Sequence, residues 1–398
     1  MKIEIVKFDS FGRGIGYLNN KIIFVPKTVP GDIIDVEVTL EKKKYYEGKL
    51  INIIEPSKIR KKAICPYFKI CGGCDLMNVS LSETLDYKLD KVNNILKKNN
   101  IDYEIKEIIK NDEKYNYRNK ISLKVINGKL GFYQNDTHYL VDIDYCYLCK
   151  ESINSIIKDL HLLNIKNGEI IVRTNYNGEI LLNIKTDDKI ENIVKIINNH
   201  KIVGIVNNDK CIYGENYFID KIKDYLFKVS YNSFFQINPF ICSKLFDLIE
   251  ENSKESKNVL DLYCGVGTLS IVASKNANKV LGVEIIENAI VDANLNKKFN
   301  NLKNLEFMCE DTKNIIDKIT KDFDLVILDP PRSGVNKNVI NKLLDIMPKK
   351  IIYVSCDPTT LARDLQLLLN KYCIDNIKLL DMFSFTQHVE CVCVLKRK

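Results

Sequence analysis

From about residue 257 onward the chain repeats one pattern that few folds can accommodate. Short apolar runs at Val259–Cys264, Lys279–Glu284, Leu305–Asp311, Asp324–Asp329 and Ile351–Cys356 are separated, in the early part, by stretches of helix length. Two further strand-like runs follow at Ile377–Phe383 and Val389–Leu395. Strands alternating with helices predict a doubly wound α/β sheet, because parallel neighbours need a long crossover that a helix fills. At 398 residues the chain is too long for one ordinary core, so two or three domains are expected. No apolar run approaches 18 residues, which excludes a membrane-spanning helix. The first residues show no apolar stretch leading to a small-residue cleavage site, so a cytoplasmic location is expected. Thirteen cysteines, odd in number and clustered, point to metal binding or catalysis in preference to a secreted disulfide framework.

In an open α/β sheet, ligands bind beyond the carboxyl ends of the strands. The residues found there are chemically specific. The first strand runs into Asp261-Leu262-Tyr263-Cys264-Gly265-Val266-Gly267-Thr268, a tight glycine turn of the kind a ligand approaches closely. Ser270 stands where a dinucleotide fingerprint has its third glycine, so no pyrophosphate cradle is implied. Glu284 ends the second strand and can accept from both hydroxyls of a ribose. Together they fit a nucleoside cofactor such as S-adenosylmethionine better than a nicotinamide. The fourth strand ends in Asp329-Pro330-Pro331-Arg332, a carboxylate held rigidly by two prolines. The fifth delivers Cys356 to its own end, where Pro358 stops the strand. Glu390 heads the last apolar strand, an expensive place for a carboxylate unless it is paired or used. It reads as a proton acceptor beside Cys356, or as an ion-pair partner of Arg332 or Arg363.

The N-terminal part reads differently. Ile3–Val6, Lys21–Val25, Ile33–Val38 and Gly48–Ile54 are strand-like, with Phe11–Tyr17 and Val29–Asp32 as turns. So many short strands in under 60 residues predict a small closed barrel. Residues 1–64 carry thirteen Lys and Arg against eight Asp and Glu, a balance that suits a polyanion. The glycine-rich turn, Phe24-Val25-Pro26 and Pro30-Gly31-Asp32 resemble a TRAM domain, an OB-like RNA-binding barrel. On that resemblance Lys42, Lys43 and Lys44 are phosphate contacts, with Tyr45 and Tyr46 as stacking rings. Next comes Cys65-Pro66-Tyr67-Phe68-Lys69-Ile70-Cys71-Gly72-Gly73-Cys74, three thiols that can turn round one inorganic centre. Zinc and an iron–sulfur cluster both suit this spacing, and the fourth ligand is Cys146 or Cys149. A helix is expected over Ser82–Lys98, with Leu85, Leu89, Val92 and Leu96 as its packing stripe. Between 115 and 229, strand and helix patterns alternate without a further chemical constellation. Tyr115, Tyr117, Arg118 and Lys120 are either nucleic-acid contacts or plain surface.

Across the whole chain the motifs Ser233-Phe234-Phe235-Gln236-Ile237-Asn238, Asp261–Gly267, Asp329–Arg332, Ser355–Pro358 and His388-Val389-Glu390 occur in the order found in one family. The chain resembles the S-adenosylmethionine-dependent RNA (uracil-5-)-methyltransferases, and among them the TRAM-bearing iron–sulfur branch that acts on 23S ribosomal RNA, with transfer RNA as the alternative substrate. The resemblance implies Cys356 as nucleophile and Glu390 as base. It implies Gln236, Tyr263, Thr268, Glu284, Asp311 and Asp329 as the S-adenosylmethionine pocket. It also implies Cys65, Cys71, Cys74 and Cys146 as ligands of a structural 4Fe-4S cluster. Asn78 stands where the family has a histidine, and Tyr147-Leu148-Cys149 replaces the usual Pro-Ile after Cys146. The expected architecture is a TRAM barrel over 1–57, a central α+β domain with the cluster over 58–229, and a Rossmann-like methyltransferase domain over 230–398. The expected molecule is a monomer that binds RNA, not DNA or membranes.

Overall fold

The computed structural model describes every residue except Asp136 and residues 317–321. Residues 2–55 form a closed five-stranded barrel from Lys2–Phe8, Gly14–Leu18, Lys21–Val25, Ile33–Glu41 and Tyr45–Glu55. Closure removes the exposed edges that so small a sheet would otherwise present. The stretch expected as a turn at Phe11–Tyr17 is half strand. Gly14 lies inside it because a Cβ there would come within 2.0 Å of the Thr28 hydroxyl, so the glycine serves close packing. Tyr46 is 8% exposed and packs with Ile3, Ile23 and Val36 in the barrel core. It is not a stacking ring. Lys42, Lys43 and Lys44 are exposed at the tip of the hairpin, as a phosphate-binding loop requires.

A seven-stranded sheet forms the middle of the chain, built around Lys120–Ile126, Asn167–Thr174 and Ile180–Lys185. Its apolar face, with Leu123, Val125, Ile170, Val172 and Leu182, packs on Ile153, Ile156 and Ile157 of a short helix. Tyr117, a candidate nucleic-acid contact in the sequence, is instead 1% exposed and sits in a small core with Phe68, Leu148 and Phe385.

The C-terminal sheet has the expected doubly wound character. Its spatial order is Leu305–Cys309, Lys279–Glu284, Asn258–Leu262, Leu325–Leu328, Lys350–Ser355, Glu390–Arg397, Tyr372–Leu380 and Ile108–Ile109. The first five run parallel, and Glu390–Arg397 inserts antiparallel beside Lys350–Ser355. The barrel ends at Glu55, and two segments between 58 and 230 pack on the C-terminal core. Helix Leu81–Lys98 buries Val92 and Leu96 against Tyr353, Leu365 and Leu379 of the C-terminal core. The hairpin Tyr217–Ile222 and Tyr225–Ser230 buries Phe218 and Phe227 against Val259 and Leu325. An amphipathic stripe shows that a helix is covered but not by what, so the sequence alone does not divide these segments. Among the described residues no helix is long and apolar enough to cross a membrane.

One buried ion pair fastens this helix to the sheet. Lys88 Nζ lies 2.5 Å from Asp381 Oδ1, both side chains are fully buried, and the same ammonium donates to the Phe383 carbonyl. Removing one partner of such a pair leaves an uncompensated buried charge. Lys88→Met is expected to lower the unfolding free energy by about 3–5 kcal/mol, read as a shifted urea midpoint. An exposed control such as Lys97→Met should change little.

Candidate active site

Strand register brings the chemistry together. Ser355 lies opposite Cys391, so the next rung outward sets Cys356 against Glu390. Leu328 pairs with Tyr353 in the parallel register, so Asp329 ends its strand level with Val354, two residues short of Cys356 and close enough for its charge to act on the thiol. Asp357 leaves the strand and caps helix Pro358–Leu368 by accepting from Thr359 N (2.8 Å) and Thr360 N (3.2 Å), fixing the turn just past the thiol. Arg332, on the Pro-Pro turn, lies close enough to Cys356 for its charge to favour the thiolate. Arg363 is no partner of Glu390. It pairs with Asp364 and donates to the Ser333 carbonyl, bracing the turn that carries Arg332.

The pocket is dry and rich in carboxylates. Burial pushes the Asp329 carboxyl up to about 7. Glu390, 5% exposed, is raised well above the ordinary carboxylate range, by burial first and then by Asp329, with Arg332 opposing. The Cys356 thiol is pushed up to about 11 by burial and by Glu390 and Asp329, while Arg332 draws it down. The free pocket therefore holds a neutral thiol beside carboxyls that retain protons near neutrality. His388, beside Phe383, is held down at about 4 by burial and by cations that include Arg332, Lys91 and Arg118.

The cofactor residues expected from the sequence stand at the ends of neighbouring strands. Tyr263 (φ +66°) and Gly265 (φ +54°) follow the first strand, Glu284 ends the second, Asp311 lies two residues past the third, and Asp329 follows the fourth. Tyr263 reaches Thr312, next to Asp311, which itself caps a short helix through Lys313 N. Gly267 (φ +82°) admits no side chain, since a Cβ would come within 2.4 Å of the Phe307 ring. A Cβ on Gly265 would meet nothing within 4 Å, so the turn faces open space. Glu284 accepts from Gly265 N (3.1 Å) and from Ile285 N and Ile286 N (2.9 and 3.0 Å). That ties the carboxylate to the turn. Ser270 donates to the buried Asp261, which explains a serine in the third-glycine position. Thr268 opens helix Thr268–Ser274. Gln236 lies on a loop held from one side by Asn119, which donates to the carbonyls of Gln236 (3.2 Å) and Ile237 (2.9 Å). On the other side Ser233 donates to Asp292 (2.8 Å). Ile285 and Ile286, 60% and 59% exposed beside Glu284, form an apolar wall that sequence reading did not single out. Two isoleucines directly after a strand-ending carboxylate were the available signal. These groups suit a nucleoside: an open backbone turn, a ribose-accepting carboxylate and an apolar flank.

The four cysteines converge, with a qualification. Among the described residues no three His, Cys, Asp or Glu side chains form a group that holds a single metal ion. Yet Cys65, Cys71 and Cys74 each feel the charge of Cys146, and burial raises all three thiols. Cys149, fully buried, neighbours Cys146, and its backbone N–H donates to the Cys146 carbonyl (2.9 Å); the pair favours the thiolate at Cys146 and the thiol at Cys149. A cluster of iron and sulfide holds its thiolates farther apart than one ion does. The charge of Cys146 reaches the other three thiols, so the four lie in one neighbourhood.

The most consequential contacts missed in the sequence join this cysteine loop to the pocket. Asp75 N and Leu76 N both donate to the Phe385 carbonyl (3.1 and 2.9 Å), and Asp75 Oδ2 accepts from Gln387 N (3.0 Å). Lys91 donates to the Gln387 carbonyl (2.8 Å), and Tyr117 to that of Ser384 (3.3 Å). The segment Asp381–Val389, which delivers Glu390, is held from three sides.

Comparisons with known proteins agree with this geometry. The sequence profile of the tRNA (uracil-5-)-methyltransferase family matches residues 80–398, and that of the TRAM domain matches residues 1–51. An uncharacterized RNA methyltransferase of Clostridium tetani is 34% identical, over 99% of this chain and 95% of its own length. One from Thermotoga maritima is 30% identical over 99% and 98%. Among solved structures, Pyrococcus abyssi tRNA (uracil-54, C5)-methyltransferase in complex with S-adenosyl-L-homocysteine superimposes with a TM-score of 0.82. It is 28% identical, with 99% of this chain and 100% of that one covered.

The electrostatics of Cys356 have a direct readout. Iodoacetamide labelling of Cys356, followed by peptide mapping, should accelerate with pH up to about 11 without levelling off near pH 9. Arg332→Ala removes the cation that favours the thiolate, so the profile should move further alkaline. A plateau below pH 8 would contradict this pocket.

Proposed function

The chain belongs to the tRNA (uracil-5-)-methyltransferase family, and from that premise we propose that it methylates carbon 5 of a uridine in 23S ribosomal RNA through a covalent bond between Cys356 and the base. It is an S-adenosylmethionine-dependent RNA methyltransferase. The observation that carries the covalent route is the Cys356–Glu390 rung with Asp329 and Arg332 beside it.

Carbon 5 of uracil is a poor nucleophile. Addition of the Cys356 thiolate to carbon 6 makes an enolate whose carbon 5 is electron-rich. Gln236, Tyr263, Thr268, Glu284 and Asp311 would hold S-adenosylmethionine, which would supply the methyl group to carbon 5 and leave as S-adenosylhomocysteine. Arg332 lowers the thiol and stabilises charge on the uracil carbonyl, and Asp329 orients the base. Glu390 and Cys356 each give up a proton to solvent before addition; the Glu390 carboxylate then takes the carbon-5 proton, and elimination restores both the double bond and the free thiolate. The base must leave its stack to enter, which is cheap in a loop.

Cys65, Cys71, Cys74 and Cys146 would hold a 4Fe-4S cluster whose task is structural. The TRAM barrel and this cluster favour ribosomal RNA. The likeness to an archaeal tRNA (uracil-54, C5)-methyltransferase over essentially the whole chain favours the second reading, a transfer RNA uridine.

Cys356→Ala should form no 5-methyluridine on either transcript, whereas Glu390→Gln should accumulate an RNA–protein adduct visible on a denaturing gel. A Cys356→Ala enzyme at the wild-type rate refutes the covalent route. Parallel assays of 23S ribosomal and transfer RNA transcripts choose the substrate. Anaerobic purification should give brown protein with about four irons per chain; one zinc and no colour would overturn the cluster.

A further inference from the structure

Strand geometry sorts the central sheet into two faces, because successive side chains alternate. One is the apolar face already described. The other carries Lys120, Ser122 and Lys124 on one strand, Glu169, Ile171 and Arg173 on the next, and Leu181, Asn183 and Lys185 on the third. Arg118, two residues before Lys120, continues the first row. Across these three strands, five cations share one carboxylate.

That carboxylate is occupied. Glu169 accepts from Lys124 (2.9 Å) and Ser122 (2.5 Å) and lies 3.5 Å from Lys185. Arg173 stands directly across the ladder from Lys120, an arrangement in which like charges oppose pairing. Among the described residues none of Arg118, Lys120 and Arg173 makes an ion pair. Arg173 is 5% exposed, and its Nε and that of Arg118 are buried without a partner. Burial together with Arg173 and Arg118 pushes Lys120 down to about 8. Unpaired cations crowded this closely cost stability unless an anion joins them.

Position identifies the anion. Arg173 donates to the Ser233 carbonyl, at the start of the loop that carries Gln236. Arg118, whose backbone pairs with Leu148 and Cys149, lies within electrostatic reach of His388, two residues before Glu390, so this end of the row is the one nearer the Cys356 pocket. Its other end, at Lys124 and Lys185, is open, with 39% and 53% of those side chains exposed. Alternate residues along a strand are about 7 Å apart, close to the phosphate repeat of an extended single strand.

We propose that this face of the central sheet is a track for the backbone of single-stranded RNA, with phosphates over Arg118 and Lys120 beside the reacting nucleotide, Arg173 adding its charge from below, and phosphates over Lys124 and Lys185 farther out. The inference rests on RNA being the substrate, and it adds where the strand flanking the target lies.

The test is fluorescence anisotropy of a short, single-stranded, uridine-containing RNA bound to the full chain with S-adenosylhomocysteine present, at several salt concentrations. Each lost phosphate contact should flatten the plot of log affinity against log salt by about 0.7. Lys120→Gln with Lys124→Gln should therefore flatten it by about twice that, while Lys120→Arg keeps the wild-type slope. S-adenosylhomocysteine affinity, measured separately, reports that the variants are folded. A doubly substituted protein with wild-type slope overturns the track, whether or not its affinity changes. Because binding is read without methyl transfer, a normal track in a protein that makes no 5-methyluridine would count only against the proposed reaction.

Discussion

The backbone at Phe385 sits in the left-handed region, at φ +61°, where a bulky side chain is disfavoured by about 1 kcal/mol or more. It stays there because two backbone donors, Asp75 N and Leu76 N, converge on its carbonyl. That constraint links the remote parts of the molecule. Asp75 directly follows Cys74, and five residues after Phe385 the strand begins with Glu390. On the other side, Lys27 of the barrel donates to the carbonyls of Cys71 and Cys74. Its own carbonyl accepts from Arg60 (3.1 Å) and Asn78 (3.0 Å). Barrel, cysteine loop and acidic pocket thus form one hydrogen-bonded chain. A structural cluster at the cysteines would act by keeping that chain in one arrangement, with no electron transfer required. Asn78, in place of the family's histidine, serves the same chain as a donor to Lys27.

Much of the pocket was legible because strand ends are legible. Cys356, Glu284 and Asp329 each close an apolar run, and the sheet rule says where such residues gather. Register was not legible. That Glu390 stands across from Cys356 depends on the last strand inserting antiparallel between Lys350–Ser355 and Tyr372–Leu380, an order that no periodicity encodes. Burial of aromatic residues was equally hidden. Tyr46 and Tyr117 have the composition of nucleic-acid contacts, yet one joins six aliphatic side chains in the barrel core and the other packs beside the cysteine loop. Which core a segment joins was hidden for a related reason. Helix Leu81–Lys98 and the strand Ile108–Ile109 precede the central sheet in sequence but complete the C-terminal core in space. The match of the family profile from residue 80 follows the core, not the chain order.

The two cationic regions do different electrical work. Inside the pocket, one exposed arginine faces two buried carboxyls and a thiol, so the free site is close to neutral and its thiol is protonated. Such a site resists adventitious alkylation, and in the proposed reaction the thiolate forms only when a uracil, itself uncharged, excludes the remaining water and brings its carbonyls to Arg332. Outside, the central sheet offers five cations against the single carboxylate of Glu169, a balance that attracts a polyanion. A cationic pocket would have lowered the thiol directly, but it would also have drawn phosphate into the place of the base. Separating the two keeps the phosphates on the sheet and leaves the pocket to the one part of a nucleotide that carries no charge.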